Sequence, residues 1–197
     1  MNLIKHYDKL IDENNDPVYD SEPLKAYMDK WDGQGFINAL KLDKTKTVLE
    51  IGVGTGRLAL KAVVLCNKFF GIDISPKTIE KAKYNLSQYQ NVELICADFM
   101  TYNFENSFDV IYSSLTFMHI KEKQKCINKV YSILNLQGCF VLSIDKSQNE
   151  YIEYENRKIK IYPDNLTDVK RYIANSGLLL QNLIETEFAY IYICLKA

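Results

Sequence analysis

The sequence predicts an α/β fold: a doubly wound, mostly parallel sheet with helices on both faces. Three observations predict it. Short β-branched runs alternate with helix-spaced segments through most of the chain, the order that builds parallel crossovers. The first run leads straight into a glycine-rich turn, Glu50-Ile51-Gly52-Val53-Gly54-Thr55-Gly56. The last two runs, residues 178–184 and 188–195, are joined by too few residues for a parallel crossover, so they form an antiparallel hairpin.

The elements follow in order. Residues 1–45 are rich in Tyr and Asp and are broken by Pro17 and Pro23; they read as short helices over the ligand end of the sheet. Thr47–Ile51 is the first strand, and residues 57–66 read as a helix. Residues 69–74 form the second strand. Ser75 can then cap a helix whose first turn suits Pro76, with Ile79, Ala82 and Leu86 on one face. Val92–Cys96 and Phe108–Ser113 are the third and fourth strands. Residues 121–134 read as a helix with Ile127, Val130, Tyr131 and Leu134 as its apolar stripe. Gly138 ends the turn into a fifth strand at 139–144. Residues 145–163 are polar and tyrosine-rich, an irregular excursion or small hairpin. Residues 165–175 read as a helix stopped by Gly177. The apolar run at 188–195 suits a strand buried on both faces. The expected organisation is one domain, with residues 1–45 as a lid and 46–197 as the core.

Composition narrows the function classes. Hydrophobic residues make up 47% of 197, enough for a packed core without a staple. With 24 basic and 25 acidic residues, the net charge of −1 gives no general attraction for nucleic acid or anionic membrane. Five cysteines without a CxxC pair argue against a zinc site. Cys66, Cys96, Cys139 and Cys194 sit among apolar residues and read as buried thiols of a reducing compartment. The N-terminus has no apolar signal segment, and the longest apolar run has eight residues where a span needs about 20. A cytoplasmic protein is expected, monomeric or homodimeric, with no metal.

The chemistry starts at the glycine turn. In an open α/β sheet, ligands bind beyond the carboxyl ends of the strands. Gly52, Gly54 and Gly56 allow close backbone approach. Asp73 ends the next strand, where an acid can accept hydrogen bonds from both ribose hydroxyls. The dinucleotide fingerprint is GxGxxG; here the spacing is GxGxG and Arg57 stands at the third glycine's place. Glu50 lies two positions before the first glycine. Its carboxylate disfavours a pyrophosphate and suits a cationic ligand with an amino group. S-adenosylmethionine, with its sulfonium and ammonium, is such a ligand.

On these residues the sequence resembles the class I S-adenosylmethionine-dependent methyltransferases, most strongly over residues 45–145. The resemblance implies a Rossmann-like sheet of seven strands ending in an antiparallel hairpin. It places Glu50, Gly52, Gly54 and Gly56 under the methionine and ribose parts of the cofactor, and Asp73 on the ribose hydroxyls. Ile74 would pack on the adenine, Asp98 followed by Phe99 would contact the adenine amino group, and backbone carbonyls at Ser113 and Ser114 would meet the ammonium. In similar enzymes the N-terminal segment closes over the cofactor, so Tyr7, Tyr19 and Trp31 could cover the sulfonium by cation–π attraction or simply pack the lid.

His119 follows the fourth strand, where it could serve as general base or only brace the loop; His6 is the weaker candidate. Tyr151, Tyr154, Arg157 and Tyr162 could line an acceptor pocket or form an exposed hairpin. Lys158 and Lys160, flanked by Glu153 and Glu155, read as a solvated face. The expected function is methyl transfer to an O, N or C nucleophile of a small molecule. An RNA or protein methyltransferase, a non-catalytic S-adenosylmethionine-binding protein and a nucleotide-dependent oxidoreductase are the alternatives.

Overall fold

The computed structural model describes residues 2–197. Seven strands form one sheet: β1 (Thr47–Ile51), β2 (Lys68–Asp73), β3 (Val92–Cys96), β4 (Phe108–Ser113), β5 (Leu134–Asp145), and two further strands near the C-terminus. A separate two-stranded hairpin, β6 (Tyr151–Tyr154) and β7 (Arg157–Lys160), follows β5; β8 (Leu179–Glu185) and β9 (Ala189–Leu195) complete the large sheet. The sheet order is β3-β2-β1-β4-β5-β9-β8. Strands β1 to β5 pair in parallel, and β9 runs antiparallel between β5 and β8. The order reverses between β1 and β4, which is where such sheets open a crevice.

Strand parity divides the core. Val48, Phe69, Val110, Val141 and Ile191 point to one face, while Leu49, Phe70, Ile111, Phe140 and Leu142 point to the other. The first face is covered by α3 (Gly33–Ala39), α4 (Ala59–Ala62) and α5 (Pro76–Asn85), through Phe36, Ile37, Ala59, Ala62 and Ile79. The second is covered by α6 (Lys123–Ile133) and α7 (Leu166–Ser176), through Ile127, Val130, Val169 and Ile173. Two more helices, α1 (Leu3–Asp12) and α2 (Glu22–Met28), precede them.

The expected Ser75 cap and Gly177 stop are present, and Asn165 adds a cap of its own. Ser75 Oγ accepts from Thr78 N, with Pro76 at the start of α5. Asn165 Oδ1 accepts from Thr167 N and Asp168 N at the start of α7, and Gly177 closes that helix in the left-handed region.

Some expectations need correction. The helix expected at 57–66 regularises over only four residues, because the glycine turn continues through residue 58. β5 begins at Leu134 rather than 139, and its pairing with β4 shifts register between Phe108 and Val110. Cys96 is exposed and Cys139 half-buried. Cys96 sits on edge strand β3, which is covered less well than its apolar neighbours suggested.

Candidate active site

The turn after β1 is shaped by its backbone. Gly52 lies at φ +76°, and a Cβ there would fall 2.0 Å from Thr116 Oγ1. Gly54 lies at φ +55°, and a Cβ there would meet no protein atom within 4 Å. The first glycine makes room for the loop after β4; the second borders open space.

That room is a cleft of about 600 Å3 beyond the ends of β1, β2 and β4, a size suited to a nucleoside with a small partner. Ten sequence-expected residues line it: Glu50, Gly52, Gly54, Asp73, Ile74, Asp98, Phe99, Ser114, Tyr7 and His119. The other three lie elsewhere. Gly56, at φ +101°, faces the Leu86 side chain at 3.3 Å and serves packing. Ser113 turns its hydroxyl into the sheet, donating to Ile51 O at 2.9 Å. Tyr19 is not among the lining residues: its ring is 66% exposed and lies toward Lys81, while Pro17 and Met28 of the same segment do reach the cleft. Trp31 is also drawn away, donating from Nε1 to Asp145 Oδ2 at 2.7 Å.

Electrostatics follows burial. Glu50 is sealed in the core, with Tyr112 Oη donating to its Oε2 at 2.9 Å. Burial pushes its pKa up to about 8, against the lowering effects of that hydrogen bond and of Arg57. A rise of that size favours the protonated form of Glu50 in the free site at pH 7. Asp73 accepts from Gly54 N at 3.1 Å and Ser75 N at 3.0 Å, so the acid is braced across the glycine turn. Burial raises its pKa, and those N–H donors oppose the rise.

Two features are non-local. Tyr7 Oη and His119 Nε2 meet at 2.7 Å, joining α1 to the short 3-10 turn Phe117–His119. Burial, with Lys123 and His6 beside it, holds the His119 imidazole down at about 4, and burial raises the Tyr7 phenol. Both groups are neutral at pH 7. The second is Asp32, which the sequence reading missed. It is buried, accepting from Arg57 Nη1 at 3.0 Å and Nη2 at 2.5 Å, from Ser114 Oγ at 2.8 Å and from Gly33 N. Arg57 and Ser114 both line the cleft, so Asp32 fixes two of its walls from behind. The Arg57 seen in the turn was the one available signal, since a buried guanidinium needs a counter-charge.

The residues around the hairpin do not gather into one pocket. Arg157 is buried and ion-paired with Glu13, and its guanidinium lies 4.7 Å from the centre of the Tyr154 ring. Lys158 pairs with Glu153 at 3.3 Å on the outside. No group of metal-ligating side chains is found among the described residues.

A switch-point cleft with a glycine turn and acids at successive strand ends defines a nucleoside-binding α/β domain. The model of the methyltransferase domain matches residues 42–187, and the chain belongs to that family, the class I methyltransferases whose cofactor is S-adenosylmethionine. It is 34% identical over 102 residues to malonyl-[acyl-carrier protein] O-methyltransferase 1 of Ilyobacter polytropus, a match covering 51% of this chain and 38% of that one. It is 32% identical over 138 residues to an uncharacterized methyltransferase of Anoxybacillus flavithermus, covering 66% and 64%. The match thus spans less than two thirds of either relative. The crystal structure of a SAM-dependent methyltransferase of Aquifex aeolicus superimposes with a TM-score of 0.74 at 15% identity, covering 96% of this chain and 98% of that one.

The cleft fits the family's cofactor. The open space at Gly54 admits a sugar against the backbone, and Glu50 can accept a positive group at the cost of its proton.

Proposed function

We propose that the protein transfers the methyl group of S-adenosylmethionine to an O, N or C nucleophile of a small molecule. One observation carries this reading: the glycine turn, Asp73, Asp98 and the Tyr7–His119 pair open into the same cleft. The bound cofactor supplies an electrophilic methyl on a good leaving group. The chain's task is alignment and exclusion of water, which can supply several kcal/mol of barrier reduction, on the order of 7–11 in the best-oriented cases.

In this reading Asp73 holds the ribose hydroxyls, Ile74 and Phe99 flank the adenine, and Asp98 takes its amino group. Glu50 answers the ammonium, beside the carbonyls that end β4. Tyr7 closes the cleft from α1. His119, neutral at pH 7, accepts the proton of an attacking hydroxyl or amine once its Nε2 exchanges Tyr7 for the acceptor. The lining that neighbours this pair in the chain mixes Leu3, Leu115 and Ile120 with Thr116, Lys121 and Glu122. Residues 1–45 act as the lid of a single domain.

We place the protein in the cytoplasm as a monomer or homodimer. The five cysteines are all free, and no helix among the described residues is long and apolar enough to cross a membrane. The test is a screen of small-molecule, RNA and protein acceptors with labelled S-adenosylmethionine. Label on a small molecule, lost in His119→Ala, is the expected result. Label on a macromolecule alone, or tight binding with no transfer to anything, overturns the reading.

A further inference from the structure

The turn that carries His119 is bolted from beneath. Lys123, in the first turn of α6, has a side chain only 8% exposed. Its Nζ donates to Phe117 O at 2.6 Å and to Tyr162 O at 2.9 Å, and pairs with Asp164 Oδ1 at 2.7 Å. Asp164 is 1% exposed at its side chain. Tyr162 N donates to Met118 O at 2.8 Å. The turn Phe117–His119 is thus held through two successive carbonyls, both tied to the segment that follows the hairpin. A buried ammonium costs several kcal/mol unless it is paired and fully hydrogen-bonded. Here two carbonyls accept from it and the Asp164 carboxylate faces it as counter-ion, so the arrangement permits little movement of the turn.

We propose that Lys123 is a positioning residue for His119: its ammonium, anchored by Asp164, fixes the turn so that Nε2 faces Tyr7 and the cleft. The inference rests on the assignment of His119 to methyl transfer, but its geometry does not depend on any acceptor. The ammonium also acts through charge. Burial chiefly, then Lys123 and His6, hold the His119 imidazole down; Tyr7 meets the ring edge-on, and Lys121 and Glu122 stand at the cleft wall. A nearby cation disfavours a second one on the ring and so adds to the effect of burial in keeping the ring a free base.

The chain has two histidines, so its imidazole 15N spectrum holds two rings, separable with His6→Asn. In Lys123→Met, His119 should titrate at a higher pH than in the parent protein, and its Nε2 resonance should lose the shift that marks the Tyr7 bond. Lys123→Gln can still donate to a carbonyl. It should keep the Nε2 shift while sharing the raised titration. Affinity for S-adenosylhomocysteine should be unchanged in both. A folded Lys123→Met in which the titration and Nε2 shift of His119 match the parent overturns the proposal. If that variant fails to fold, an unmoved titration in Lys123→Gln does so. Failure of His119→Ala to lower methyl transfer would instead remove the role of His119 and leave the positioning result standing.

Discussion

Tyr112 Oη donates to Glu50 Oε2 at 2.9 Å, and both side chains are closed to solvent although Glu50 borders the cleft. The carboxyl is held as an acid by burial until something positive arrives.

This gives the first prediction. A positive group beside Glu50 favours its ionised form and lowers its pKa from about 8. Binding at pH 7 should therefore release a proton, and affinity should strengthen as pH rises toward 8. Calorimetry in buffers of different ionisation enthalpy measures that proton. The same shift acts on stability in the ligand-free protein. A carboxyl whose folded pKa is raised contributes stability that is lost as pH climbs from its unfolded value through about 8. Glu50→Gln should thus gain stability over the parent at pH 8 and bind the cofactor more weakly. Equal proton release in parent and variant would remove Glu50 from the site.

Gly52 and Gly54 should respond differently to the same change. In Gly52→Ala the new methyl strikes Thr116 and the residue keeps a positive φ, so destabilisation of about 2–4 kcal/mol is expected. In Gly54→Ala only the strain remains, roughly 1–2 kcal/mol, and the methyl stands in open space. That variant should melt near the parent temperature yet bind S-adenosylhomocysteine poorly. Thermal denaturation paired with calorimetry separates the two effects.

Asp73→Ala should cost about 10–100-fold in cofactor affinity, the scale of one or two charge-assisted hydrogen bonds. The loss should appear equally with adenosine, since the sugar is the shared group. An affinity for adenosine untouched by the change would place the ribose elsewhere.

The Asp32–Arg57 pair predicts a stability effect. Asp32→Ala leaves Arg57, only 16% exposed at its side chain, without its partner, and breaking such a pair costs about 3–5 kcal/mol. Urea denaturation should show the loss, and Arg57→Met in the same background should recover part of it.

The parts of this protein that were legible in the sequence are those written in consecutive residues. Thr47–Ile51 followed by three glycines announced both strand and turn, and Ser75-Pro76 announced the start of α5. Acids at strand ends followed from the strand boundaries. What stayed hidden depends on partners far apart in the chain. Asp32 is 25 residues from Arg57 and 82 from Ser114, and nothing around it marks it as buried. Tyr7 and His119 are 112 residues apart; each was a candidate alone, and their contact was not readable. That Tyr19 lies away from the cleft was not readable, because an aromatic in such a segment carries no sign of which way the segment turns. Arg157, a candidate for an acceptor pocket or an exposed hairpin, instead pairs with Glu13, 144 residues away in the chain.

The anchoring of α1 has a consequence for traffic through the cleft. Its ties to the rest of the domain are Tyr7 with His119, Asp8 with Ser75 Oγ and Lys77 N, Asp12 with Lys77 Nζ, and Glu13 with Arg157. Among the described residues no backbone-to-backbone bond joins it to another element. Swinging this one helix aside leaves every rung of the sheet intact. If α1 acts as the proposed lid, opening it breaks side-chain bonds alone and leaves the sheet beneath the cleft unchanged.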